Sequence, residues 1–128
     1  MASDEVVREA VAGLTTGDME RLGATLSDDI VLHVPGSNQI SGEYKGKQAF
    51  LNDFLGKMMS LTAGQFRLEP HDFLANGEHV AGLYNLTATR DEKSFSWSHV
   101  NVYHVRDGKI AEVWQHPGDP FAWNEFWS

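Results

Sequence analysis

His99 and Asn101 stand two residues apart, flanked by Trp97 and Tyr103, in the run Trp97-Ser98-His99-Val100-Asn101-Val102-Tyr103-His104-Val105-Arg106. Side chains of a strand point to alternate faces. These four therefore share one face with Val105, and Ser98, Val100, Val102 and His104 share the other. A plain core face is aliphatic and a solvent face is mostly charged. An aromatic wall with an imidazole and a carboxamide set into it is instead the pattern of a small-molecule cavity. In such a cavity the Asn101 amide is suited to polarise a carbonyl or hold an enolate oxygen, and the His99 imidazole to act as a general base near neutral pH. The bland alternative is a pair of buried polar groups satisfied by their neighbours.

His33 is the next candidate base, at the end of Ile30-Val31-Leu32-His33-Val34 and just before Pro35-Gly36. A regular strand turns it away from the face of Leu32 and Val34, and a bulge before the proline would bring it in. His116 and Asp119 bracket Pro117-Gly118 and form a possible acid–base pair, with His116 also a wall residue. His71 lies on a strand of open register, while His79 and His104 read as exposed or interface positions. Six histidines invite a metal hypothesis. No pair has helical ligand spacing and there is no cysteine, so no metal site is expected. Trp97, Tyr84, Tyr103, Trp114, Phe50 and Phe54 are expected walls of the cavity. The face of Trp114 depends on whether the preceding hairpin takes a bulge. Tyr44, between Gly42 and Gly46, is placed to close the mouth and lend a hydroxyl.

The elements that must hold these groups follow from periodicity. Val6, Val7, Ala10, Val11 and Leu14 recur at helical spacing over Asp4 to Leu14, with Ser3 or Asp4 as N-cap. A short helix is expected from Asp18 to Leu26, then the strand 30–34, stopped by a proline that cannot donate to a ladder. Residues 37–46 read as loop. Lys47 to Leu61 is the longest expected helix, its stripe of Phe50, Phe54, Leu55 and Met58 wide enough to lie across a sheet. Strands follow over Gln65–Ala75 and His79–Arg90, joined at Asn76-Gly77, and then the central strand and Lys109–His116, joined at Asp107-Gly108. Both dipeptides are hairpin signals. The ending Phe121-Ala122-Trp123-Asn124-Glu125-Phe126-Trp127-Ser128 is a short helix or an extended tail. It is too apolar to lie free, so it covers an open end of the fold or packs across a dimer. Helices early and a meander late indicate an α+β domain with a curved, mainly antiparallel sheet.

The 128 residues suit a single domain, 1–128, with ordinary apolar (41%) and charged (22%) content. Eighteen acidic against ten basic residues give −8, which argues against nucleic acid or an anionic membrane as partner. The absence of cysteine excludes disulfides and thiolate chemistry. The acidic start Met1-Ala2-Ser3-Asp4-Glu5 lacks the apolar core of a signal peptide, so a cytoplasmic location is expected.

Four stretches resemble the SnoaL-like branch of the nuclear transport factor 2-like superfamily, which includes ketosteroid isomerases and polyketide cyclases. They are Ser27-Asp28-Asp29-Ile30-Val31-Leu32-His33-Val34-Pro35-Gly36, Gly42-Glu43-Tyr44-Lys45-Gly46, Arg106-Asp107-Gly108-Lys109-Ile110-Ala111-Glu112-Val113-Trp114, and the Phe126-Trp127-Ser128 ending. The resemblance implies a cone-shaped fold of three N-terminal helices packed on the curved sheet, a conical cavity between the long helix and the concave face, and a homodimer formed across the sheet. Set beside ketosteroid isomerases, the aspartate base position falls on Val34, the tyrosine on about Ala10 and the second aspartate on Asn101, so steroid isomerisation by that mechanism is not expected. Cyclases of this branch pair a histidine with an aspartate, which points to His33, His99 or His116 with Asp119. The leading expectation is a protein that encloses a small hydrophobic, carbonyl-bearing metabolite and acts on it without a cofactor, as an isomerase, aldol-type cyclase or dehydratase. The alternatives are a non-catalytic binding or dimerisation module and, last, an epoxide-hydrolase-like site built from Glu69, Asp72, Glu112 and Asp119.

Overall fold

A computed structural model describes residues 1–128. The chain runs α1 (Ser3–Thr16), α2 (Met19–Ala24), β1 (Leu26–Val34), β2 (Gly42–Lys45), a π-helical stretch (Ala49–Leu55) continuing into α3 (Gly56–Thr62), β3 (Phe66–Asn76), β4 (His79–Arg90), β5 (Lys93–Arg106), β6 (Lys109–Pro117) and α4 (Pro120–Trp127). The six strands form one sheet in the order β2-β1-β6-β5-β4-β3. All neighbours are antiparallel except β1 and β6, which run parallel. This is the α+β architecture expected from the order of elements, with helices laid over a mostly antiparallel sheet. No helix is long and apolar enough to cross a membrane.

One face of the sheet meets the helices. Val6, Val7, Ala10 and Val11 of α1, Phe54 and Leu55 of the π-helical stretch and Met58 of α3 are buried against Leu32, Leu68, Leu86 and Val113 from the strands. Each such side chain contributes about 1.5–3 kcal/mol when fully buried. Gly13 lets α1 and α2 meet: a Cβ there would lie 2.7 Å from the Leu22 backbone nitrogen.

Several local expectations shift. The α1 N-cap is Ala2, without a side-chain bond, because Ser3 Oγ donates instead to the Gly77 carbonyl at 2.8 Å. Asp18 does cap α2, accepting from the Arg21 N–H. Residues 27–29, expected to end a helix, lie inside β1, where the pairing with β6 slips between Leu26 and Val31. The expected loop at 37–46 contains strand β2, paired with β1 from Val31↔Lys45 to Val34↔Gly42. The long helix is π-wound in its first half, a form often met at functional sites. The ending folds as α4, capped by the Asp119 carboxylate on the Ala122 N–H.

The hairpin at Asp107-Gly108 has positive φ at both residues (53° and 73°), as a type I′ turn requires. At the β3–β4 hairpin the two loop residues are Gly77 and Glu78, with Asn76 already paired to His79, so the glycine (φ 63°) occupies the first position as in type II′.

One irregularity decides the site. β5 pairs His104 with Glu112 and Val105 with Ile110, leaving Ala111 unpartnered as a bulge. Without it, Ile110, Glu112, Trp114 and His116 would share the inner face. The bulge reverses the phase, so Val113 and Gln115 follow Ile110 inward and Trp114 and His116 turn outward.

Candidate functional site

A partly enclosed cavity lies between the inner face of the sheet, α1 and the π-helical stretch. Its volume is about 70 Å³, enough to hold a few waters or a small ligand. Phe50, Phe54 and Met58 wall one side, Leu32, Val113 and Leu86 the sheet, and Trp123 of α4 one end. Only His99, Asn101 and Gln115 interrupt the apolar lining, besides the phenol of Tyr103. No lining residue carries a formal charge at neutral pH.

β5 presents its polar groups as the alternation requires: Trp97, His99, Asn101 and Tyr103 are all buried, and the residues between them are not. His99 is 2% exposed. The Trp97 indole N–H donates to its Nδ1 at 3.3 Å, and Trp123 stacks on the ring at 5.3 Å between centroids. An Nδ1 that accepts leaves the proton on Nε2, so His99 is an N–H donor among the residues that line the cavity. Burial pushes its pKa down from 6.5 to about 4; the Asn101 side chain favours the charged ring and His116 opposes it. The ring is therefore neutral at pH 7, a hydrogen-bond donor and a weak base.

Asn101, 8% exposed, donates from Nδ2 to the Tyr103 hydroxyl at 3.3 Å, which in turn shares a 2.6 Å hydrogen bond with the Tyr84 hydroxyl. Burial raises the pKa of both phenols, so both keep their protons at neutral pH. Gly82 makes room for this chain, since a Cβ there would sit 2.3 Å from the Tyr84 hydroxyl oxygen. One of the two Nδ2 hydrogens of Asn101 is engaged with Tyr103, and the atom left wholly unpartnered is the acceptor Oδ1, so Asn101 offers an acceptor besides the donor expected of it. Gln115 lies directly opposite Asn101 on β6, and its Oε1 is also buried without a partner. Leaving such an acceptor unpaired costs roughly 1–3 kcal/mol.

The other expected site residues divide by position. Tyr103, Phe50 and Phe54 line the cavity. Trp97 and Tyr84 stand behind the lining, each fixing a lining group through a hydrogen bond. Tyr44 packs its ring on Phe54 and donates its hydroxyl to the Ile40 carbonyl at 2.7 Å, so that hydroxyl is not offered to a ligand. Four residues lie outside the cavity. His33 faces the opposite side of the sheet, because β1 is regular from Val31 to Val34 and its slip lies earlier; there it contacts Glu112 at 2.5 Å and Glu43 at 3.3 Å and stacks on Trp114. Trp114 and His116 are turned out by the β6 bulge. Asp119 is spent on capping α4 at the exposed end of the chain. The carboxylates of the epoxide-hydrolase alternative, Glu69, Asp72, Glu112 and Asp119, are likewise absent from the lining. Gln115 and Trp123 were not foreseen as site residues. The alternation of β6 would have found Gln115 once the bulge was known.

The model of the SnoaL-like domain family matches residues 7–113, and the chain belongs to that family. A solved structure from Xanthomonas campestris, a protein of unknown function with a cystatin-like fold, superposes with a TM-score of 0.93 at 29% identity, covering 100% of this chain and 99% of that one. A protein of unknown function from Burkholderia pseudomallei, described as similar to nuclear transport factor 2, superposes at 0.87 with 20% identity over 98% of this chain and 97% of that one. An uncharacterized protein of Mycobacterium tuberculosis is 26% identical over 125 residues, which is 97% of this chain and 95% of that protein. The fold is thus the nuclear transport factor 2-like cone, and its relatives are similar along nearly their whole length.

Proposed function

We propose that this SnoaL-like protein encloses a small, uncharged, largely apolar metabolite bearing a carbonyl and promotes its enolisation without a cofactor, as an isomerase, aldol-type cyclase or dehydratase does. The observation that carries the reading is the neutral imidazole of His99, clamped between the Trp97 N–H and the Trp123 ring and lining an otherwise apolar cavity. A donor fixed before the reaction, in a site with little water, stabilises the negative charge that builds on a carbonyl oxygen as the neighbouring C–H bond breaks. The proton passes to a water molecule that enters with the ligand, since no lining group is a strong base. Asn101 and Tyr103 supply the polar floor beside it.

A second reading, a non-catalytic binding module, is favoured by one feature. His99 is the only lining group that titrates near neutrality in an ordinary setting, and its depressed pKa makes it a poor proton acceptor. One experiment separates the two. Small hydroxy-ketones in D2O are followed by NMR for exchange of the hydrogens next to the carbonyl. The enzymatic reading expects exchange above the uncatalysed rate with the protein as folded, and its loss in His99→Leu. Binding seen as shifts of the Trp97 and Trp123 indole signals, with exchange at the background rate for every ligand that binds, leaves the module.

A further inference from the structure

The two unpartnered acceptors define what the ligand must carry. Asn101 and Gln115 face one another across the β5–β6 pair, on the inner face, and Asn101 Oδ1 and Gln115 Oε1 are both sealed from solvent without a hydrogen bond. Directly opposed strand residues place their side chains within reach of one group between them. Two neighbouring carboxamides are well able to bond one another, and these do not. A hydrogen-bond donor that enters the cavity, with the two carboxamides turning from their sealed positions to meet it, is held by acceptors on both strands, while the His99 N–H serves an acceptor beside it.

We infer that the ligand is an uncharged hydroxy-carbonyl compound, its hydroxyl donating to the Asn101–Gln115 acceptor pair and its carbonyl accepting from His99, and that Gln115 selects for the hydroxyl. This rests on the reading of the cavity as a ligand site. Carboxylates are excluded by the same geometry. A carboxylate brings only acceptors to two oxygens that need a donor, and no Lys, Arg or charged His lines the cavity to offset its burial. A plain ketone satisfies His99 and leaves the acceptor pair empty. A hydroxyl is the smallest group that completes the set, which suits a cavity of about 70 Å³.

The test uses the whole protein and three probes of one ring size: cyclopentanol, cyclopentanone and cyclopentanecarboxylate. Affinities are read by NMR titration of the Trp97 and Trp123 indole signals. The inference expects the alcohol to bind about tenfold tighter than the ketone, the worth of one neutral hydrogen bond, and the carboxylate to leave the signals unmoved. Gln115→Met, with Gln115→Leu as a second carrier of the same change, is expected to erase the preference for the alcohol while the ketone keeps its affinity. A ketone bound as tightly as the alcohol, a carboxylate bound as tightly as either, or a preference that survives in both variants overturns the inference and leaves the cavity as a ligand site. Indole signals unmoved by all three probes overturn that underlying reading, and the inference with it. The order of the probes on the unsubstituted protein already decides the matter if neither variant folds.

Discussion

The two faces of the sheet each hold a histidine stacked on a tryptophan, and the two are opposite in what they can do. His99 lies on Trp123 in the cavity, accepts from the Trp97 N–H and is kept neutral by burial. His33 lies on Trp114 on the outer face, between the carboxylates of Glu43 and Glu112, with about a quarter of its side chain (28%) exposed. The stacking partner is the same kind of ring, so it does not separate the two. What separates them is the group at the ring nitrogens and the water around them. An indole N–H holds one ring as an uncharged donor in a dry hollow, whereas two carboxylates contact the ring nitrogens of the other at the surface. Strand parity assigns the two environments: His99 shares the phase of Trp97 and Asn101, and His33 is out of phase with Leu32 and Val34.

The contrast can be broken first at Trp123. Truncation by Trp123→Ala removes a 2% exposed side chain that closes the cavity and stacks on His99. A loss of about 3–5 kcal/mol is expected, read as the shift of the urea midpoint at constant slope. A change under 1 kcal/mol would mean that α4 does not close the core.

A smaller effect separates the histidines by pH. In the unfolded chain His99 takes up a proton near its ordinary 6.5, and in the native protein only at about 4. Its contribution is therefore fully present above pH 6.5 and is lost as pH falls towards 4, about 3 kcal/mol in all. Unfolding curves at pH 7 and pH 4.5, compared between the protein and His99→Gln, isolate this share from that of the carboxylates. The variant is expected to lose less stability over the interval, and equal losses would place a charged imidazole in the native cavity.

The smallest effect is expected on the outer face. His33→Gln removes partly exposed contacts with Glu43 and Glu112, and surface contacts of this kind are worth about 1 kcal/mol or less because water and salt screen them. Stability should change by no more than that, and probe affinities in the cavity should not change. A loss of binding in His33→Gln would join the two faces that the geometry separates.

Much of this was legible in the residues. Period-two alternation from Trp97 to Val105, closed by Asp107-Gly108, was enough to put His99 and Asn101 on one buried face, because a strand's side-chain phase depends only on its own backbone. The same reasoning failed one strand later. Trp114 and His116 were expected as walls, and the bulge at Ala111 turned them out and Gln115 in. Nothing in Lys109-Ile110-Ala111-Glu112-Val113 marks that bulge, since it arises where β6 must match the antiparallel β5 on one side and the parallel β1 on the other. The π-winding of Ala49–Leu55 was hidden in the same way: the apolar stripe of a helix survives a change of turn that packing imposes. Asp119 looked like an acid for catalysis and is an N-cap, a use that its place before Pro120 and Phe121 already allowed.

By itself, then, the order of residues determined the α+β layering, the hairpins and the inward phase of β5, all of which follow from local backbone geometry and the burial of apolar side chains. Only the folded chain decided that His99 is a neutral donor, that Asn101 presents an oxygen, and that Gln115 and Trp123 complete the cavity. Those properties depend on the tautomer set by a neighbouring indole, on a hydrogen bond to Tyr103, and on a bulge whose position is fixed by pairing with two other strands.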